Sequence, residues 1–265
     1  MDLAEVVRQH LEAWRAAGIE WVPLPPAAAP ALKASAAAPR RATPLQTPPP
    51  AAPPLAVPSP ALFGPVAADG PLLPTTEKRR LLQALDEQQV RGCTRCAALA
   101  RCRTQTVFGV GNVDCELCFV GEAPGADEDA SGEPFVGAAG QLLNKIIEAC
   151  KMTRGEVYIC NVLKCRPPGN RTPLPDEVAN CRPFLEEQLR LLRPKFICCL
   201  GAVAAQALLE TTQSIGRLRG KFHRYGESQV LCTYHPAYLL RNPAAKRDVW
   251  EDMKVLMQAM GRPVA

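Results

Sequence analysis

VYICNV at residues 157–162, PDEVANCRPFLEEQLRLL at 175–192 and FICCL at 196–200 read in succession as strand, helix and strand. Two short apolar runs stand on either side of a longer run with mixed polarity, and the same alternation continues in both directions. Upstream, the pattern predicts a helix near 76–90, a strand at 116–120 and a helix at 138–151. Downstream, it predicts a helix at 202–210, a strand at 229–234 and a helix at 244–260. Alternating helices and strands specify an α/β fold in which a central parallel sheet carries helices on both faces. Ligands of such sheets bind at the carboxyl ends of the strands. Those ends here hold Gly121-Glu122-Ala123-Pro124-Gly125, Asn161, Gly201 and His235.

The front of the chain has a different character. Residues 2–18 have Leu3, Val7, Leu11 and Trp14 on one stripe, with Gly18 as a stop, which predicts a short amphipathic helix within residues 1–22. From Pro23 to Pro74 there are sixteen prolines and fifteen alanines in 52 residues. Such a composition builds no packed core and predicts a semi-rigid tether over residues 23–75. The glycine-, strand- and helix-bearing domain is expected over 76–265. The front helix is expected to bury its stripe against that domain or against a protein partner at the end of the tether.

Charge and cysteine usage narrow the class. The net charge is +5, and because residues 1–75 carry five basic and five acidic side chains, the whole excess lies beyond residue 75. A modest basic surplus suits a polyanionic partner. Asp2 and Glu5 precede any apolar stretch, which argues against a secretory signal, and no apolar run approaches the roughly 20 residues that span a bilayer. The expected location is the cytoplasm, with no membrane partner, and the twelve cysteines are expected as reduced thiols. Cys93 and Cys96 form a C-x-x-C pair. Cys165 and Cys181 form a second pair flanking Arg166-Pro167-Pro168-Gly169-Asn170-Arg171. Four thiolates suit zinc or an iron–sulfur cluster, and spacing alone does not separate the two. Cys160, Cys198, Cys199 and Cys232 lie inside apolar strands, where inert buried thiols are expected. Cys102 lies near enough to the first pair to be a substitute ligand.

The strand-end motifs are informative together. GEAPGADED at 121–129, GEPFVG at 132–137, NVLKCRPP at 161–168 and HPAYLLR at 235–241 closely resemble the family 4 uracil-DNA glycosylases, from about Cys93 to the C-terminus. The resemblance implies a three-layer α/β/α fold, a [4Fe–4S] cluster on Cys93, Cys96, Cys165 and Cys181, and uracil-containing DNA as substrate. It implies that Phe135 is the plate on which a flipped uracil stacks and that Asn161 reads its Watson–Crick edge. His235 is implied to bond O2 as negative charge develops there. Gly121, Glu122 and Ala123 would shape the pocket, and Glu128 would reject the methyl group of thymine. Asp127, Glu128 and Asp129 are candidates to position water, because Ala123 stands where family 1 enzymes carry an aspartate. Tyr238, Leu239 and Leu240 resemble a wedge that fills the gap left in DNA, with Arg241 beside a phosphate. Arg217, Arg219 and Lys221 form a second basic stretch.

Three rivals are weighed against this reading. The covalently trapping branch of the superfamily has a Lys-Arg-Arg-Ile-His insertion and a glutamine in its Gly-Glu-Gln-Pro-Gly turn, and neither occurs here. A noncatalytic iron–sulfur or zinc nucleic-acid-binding module would need the cysteines and basic charge without Phe135, Asn161 and His235 together. A recruitment subunit would depend on residues 1–75. A monomer is the expected state for an enzyme that engages one lesion.

Overall fold

The structure, a computed structural model, describes residues 72–263. The amphipathic helix expected within residues 1–22, and all but the last few residues of the 23–75 tether, lie outside them. The described chain folds around a six-stranded sheet of order β1-β3-β2-β4-β6-β5. Four strands, β2 (Leu117–Gly121), β3 (Tyr158–Asn161), β4 (Phe196–Leu200) and β6 (Ser228–Thr233), form the parallel centre anticipated from the sequence. β1 (Val110–Gly111) and β5 (Phe222–Tyr225) flank it as antiparallel edges. The sequence reading did not include either edge. β1 is too short to show a period, and β5 (FHRY) is only half-buried, without the apolar run of its neighbours.

Every residue of β2, β3 and β4 is buried, as expected of strands covered on both faces. Side chains alternate between two cores. Cys118, Val120, Cys160, Ile197, Cys199, Val230 and Cys232 face one core. This core is closed by α1 (Thr75–Leu85), α2 (Ala97–Cys102), α5 (Pro175–Leu192), α6 (Ala202–Leu209) and α7 (Ile215–Leu218). Leu117, Phe119, Ile159, Cys198 and Leu231 face the other. It is covered by α4 (Ala138–Ala149), α8 (Pro236–Arg241) and α9 (Lys246–Ala259). The result is an α/β/α sandwich. The strand cysteines are fully buried small hydrophobes, and burial also pushes Cys115 up to about 12 and Cys150 up to about 11.

The helix expected over 76–90 is α1 followed by a π-helical turn at Asp86–Val90, in which the Arg91 amide donates to the Asp86 carbonyl at 2.9 Å. The short helices α2, α3 (Ala126–Ser131), α7 and α8 were not anticipated. Each is four to six residues long, less than two turns, and too brief to impose a helical period on the sequence. α3 and α8 follow β2 and β6 at the carboxyl edge of the sheet and build the walls of the site.

Candidate active site

A cleft of about 520 Å³ opens at the carboxyl ends of β2, β3 and β6. Its walls include Glu122 and Ala123 after β2, Asn161 at the end of β3, and His235 after β6. Phe135, from the loop between α3 and α4, also lines it, as do Pro167, Asn170, Arg171 and Thr172 on another side. Gly121 lies directly beneath. A Cβ on Gly121 would overlap Asn161 Oδ1 and come within 2.5 Å of Phe135 Cζ. Only glycine lets the strand pass this close to both side chains.

Asn161 is 2 % exposed, and among the described residues its Oδ1 has no hydrogen-bond partner. A buried acceptor without a donor carries a desolvation cost of about 1–3 kcal/mol that an arriving N–H group removes. The main chain behind it is fixed, because the buried Lys164 Nζ donates to the Asn161 carbonyl at 2.8 Å and also to the Phe108 carbonyl and Gln188. The Phe135 ring lies 5.6 Å from the His235 ring, tilted by 32°.

His235 caps α8. Its Nδ1 accepts the Ala237 amide at 3.1 Å, so in the neutral ring the proton resides on Nε2. Burial, then the charge of Arg241, lowers its pKa to about 4, with Glu128 pulling weakly the other way. The ring is therefore a neutral N–H donor at physiological pH.

The acidic residues after β2 take different positions. Glu128 Oε2 accepts the Gly125 amide at 3.1 Å, and Oε1 accepts the amides of Val136 and Gly137 at 2.9 Å each. A carboxylate so engaged ties the Phe135 loop to α3 and is poorly placed to hold a water. Asp129 is buried and accepts the Thr104 amide. Asp127 and Glu122 line the cleft with carboxylates that have no hydrogen bond or ion pair among the described residues. Burial raises the pKa of Glu122. The sequence reading gave Glu122 a shaping role only. Its carboxyl, half-buried and without a partner, is the feature that reading missed.

The HPAYLLR segment needs one correction. Tyr238 and Leu240 are 39 % and 48 % exposed, but Leu239 is 1 % exposed and packs in the core beneath α8. Pro236 and Leu239, three apart on one helix face, point inward, so Leu239 is not part of a wedge. Arg241 lines the cleft. In the second basic stretch, Arg219 is held by Asp252 through a two-pronged pair at 3.0 and 2.9 Å and stacks over Tyr234. Arg217 and Lys221 are exposed without partners among the described residues.

Cys165 immediately precedes the wall residues Pro167, Asn170, Arg171 and Thr172 in the chain, and Cys181 lies in α5 beyond them. Burial raises the pKa of Cys96 and Cys165 and pushes Cys181 up to about 11, and each of the three lies near enough to another cysteine of the quartet for ionisation of one to oppose that of the other. Cys102 is exposed and is absent from these mutual effects. Arg103 donates to Cys165 Sγ at 3.0 Å and Asn180 to Cys96 Sγ at 3.5 Å. Among the described residues, no three Cys, His, Asp or Glu side chains are gathered as ligands of a single metal ion. The thiol-only donor set, supported by N–H···S bonds, has the chemistry that an iron–sulfur cluster requires.

Residues 108–254 match the family model of the uracil DNA glycosylase superfamily. A type-4 uracil-DNA glycosylase of Archaeoglobus fulgidus is 43% identical over 192 residues, which is 68% of this chain and 96% of that protein. The chain belongs to the type-4 uracil-DNA glycosylases. A second type-4 relative, from Thermotoga maritima, is 43% identical over 180 residues, covering 66% of this chain and 93% of that protein. A type-5 enzyme of Pyrobaculum aerophilum is more distant, at 31% over 150 residues, 49% of this chain and 64% of its own. Type-4 membership agrees with the α/β/α sandwich and with the cleft at its carboxyl edge. No described helix is long and apolar enough to cross a membrane.

Proposed function

We propose that this chain flips uracil out of DNA and hydrolyses its bond to deoxyribose, leaving an abasic site for base excision repair. The observation that carries the reading is the buried, unpartnered Oδ1 of Asn161 in a cleft it shares with Phe135 and His235. Uracil presents N3–H to that oxygen and O4 to the amide nitrogen. Cytosine presents a bare N3 and an amino group, so both contacts fail.

A base inside a duplex is out of reach, so extrusion comes first. Stacking on Phe135 contributes about 1–3 kcal/mol. As the C1′–N1 bond breaks, its electron pair leaves with uracil. Nε2–H of His235 donates to O2, where the charge accumulates, and a neutral donor does this without first losing a proton. Water then supplies hydroxyl to C1′ and a proton that finally neutralises the uracil anion. Glu122, with a pKa raised by burial, is the carboxylate best suited to take that proton in passing, and Asp127 stands beside it as a second acceptor. Glu128 holds the Phe135 loop and thereby shapes the wall that rejects thymine.

Tyr238 and Leu240 fill the gap in the duplex, with Arg241 at a phosphate. Cys93, Cys96, Cys165 and Cys181 would hold a [4Fe–4S] cluster. Holding it there, these four residues would order the Arg166 to Arg171 loop, and the cluster would supply structure without redox chemistry. The protein acts in the cytoplasm as a monomer, and residues 1–22, outside the described residues, are the segment that would engage a protein partner.

The test is uracil release from a uracil-containing oligonucleotide by wild type, Asn161→Ala and His235→Ala, together with the visible absorption of the purified protein. Release by wild type, with large losses in both variants, is expected. A folded, brown protein that released no uracil would overturn the reading and favour a binding module.

A further inference from the structure

We propose that Arg154 is a positioning residue for base recognition, acting through the main chain of the 134–137 turn to hold Phe135 where a flipped base stacks. The inference rests on the glycosylase reading of the cleft. Its starting point is the Phe135 backbone, with φ of 56°, a left-handed conformation that a bulky side chain adopts only when its surroundings impose it.

Both peptide planes that flank Phe135 are clamped. The plane before it contains the Pro134 carbonyl, which accepts a hydrogen bond from Arg154 Nη2. The plane after it contains the Val136 amide, which donates to Glu128 at 2.9 Å. One residue further on, the Val136 carbonyl accepts from Gln141 at 3.0 Å, and the Gly137 amide donates to Glu128. A fixed plane on each side leaves φ and ψ at Phe135 little freedom, so the ring direction follows from these bonds. From below, α4 presses Gly140 against the turn so closely that a Cβ there would overlap the Phe135 carbonyl.

Glu128 and Gln141 belong to α3 and α4, the helices that border the turn. Arg154 comes from elsewhere, in the connection between α4 and β3. Its guanidinium is braced on the other side by Nη1 donating to Asn144 Oδ1 of α4 at 3.1 Å. It forms no ion pair among the described residues. Arg154 thus spends its donors on a neutral carbonyl and a neutral amide, and holding this geometry is what those two bonds accomplish.

The experiment measures single-turnover uracil release, affinity for an abasic-site oligonucleotide and thermal unfolding. The proteins compared are wild type, Arg154→Met, Arg154→Lys and Phe135→Leu, with Arg154→Met also placed in the Phe135→Leu background. Misplacing a group at the reacting base by about 1 Å costs on the order of 100-fold, so Arg154→Met is expected to lose roughly 10- to 100-fold in kcat/KM. Abasic-site affinity and unfolding temperature should hold near wild type. Arg154→Lys, whose ammonium reaches the Pro134 carbonyl, should recover most of the loss. In the Phe135→Leu background, Arg154→Met should add little. Full activity of Arg154→Met, or the same proportional loss in both backgrounds, would overturn the proposal. If Arg154→Met does not fold, Asn144→Ala carries the same comparison by removing only the brace. Wild type that releases no uracil would instead refute the glycosylase reading itself.

Discussion

Acidification tests the state of His235 directly. A free histidine titrates near 6.5, whereas burial and Arg241 place His235 at about 4. At pH 5.5 a free imidazole is about 90% protonated and His235 about 3%, from the same relation. Single-turnover uracil release should therefore hold level from pH 8 to about 5.5 and fall below it, with no inflection at 6.5. Burial also raises the pKa of Glu122, so the profile is measured in parallel on Glu122→Gln, which removes that carboxyl from it. Imidazole resonances assign the histidine, since the chain has only three. The folded pKa is depressed, so the unfolded chain binds the proton more readily between pH 6.5 and 4. The contribution to stability is complete above 6.5 and is lost as pH falls through that window. Lowering the histidine from near 6.5 to about 4 makes this dependence worth about 3 kcal/mol. His235→Gln should flatten this part of the stability profile. A kinetic midpoint and an imidazole titration both near 6.5 would refute the argument.

Leu239→Ala should destabilise the fold by about 2–5 kcal/mol, read by denaturant unfolding, while leaving duplex affinity unchanged; Leu240→Ala should do the reverse, weakening uracil release from double-stranded more than from single-stranded substrate. Gly121→Ala forces a methyl group into Asn161 and Phe135, and should cost uracil release at least 100-fold in a protein whose circular dichroism is unchanged. Asp252→Ala leaves the half-buried Arg219 and the buried Thr233 hydroxyl without their partner, and a loss of about 1–3 kcal/mol is expected in thermal and denaturant unfolding.

Much of this was legible in the sequence because the parallel strands are apolar throughout. The 175–192 helix and the 196–200 strand emerge at the bounds read from their composition, and the ends of β2, β3 and β6 deliver residues of the cleft, whereas Gly201 after β4 does not line it and packs against His235. Asn161 and His235 were recognisable because short motifs surround them. Arg154 was not, since an arginine in a loop looks like a solvated charge until the Pro134 carbonyl is seen beside it. Lys164 was hidden for a related reason: a lysine next to a cysteine in a polar motif gives no sign that it is 1 % exposed behind Asn161. Leu239 was misread because α8 chooses its inward face by docking on α4, a tertiary contact that the LLR string does not encode. Glu128 lines the cleft as its motif suggests, but nothing in the string shows that its carboxylate also accepts the Gly125 amide at the start of its own helix and two amides, Val136 and Gly137, from the loop eight and nine residues on.

The distribution of the cysteines gives the experimenter a handle. All twelve lie in the described chain, nine are buried, Cys93 and Cys96 are half-buried, and Cys102 alone is exposed. A maleimide dye added to the native protein should therefore couple once, at Cys102, without mutagenesis. Arg171, which feels the charge of Cys102, also lines the cleft. A fluorophore attached there would sit near this wall of the cleft, and a change in its emission on adding uracil-containing DNA would test whether DNA reaches it.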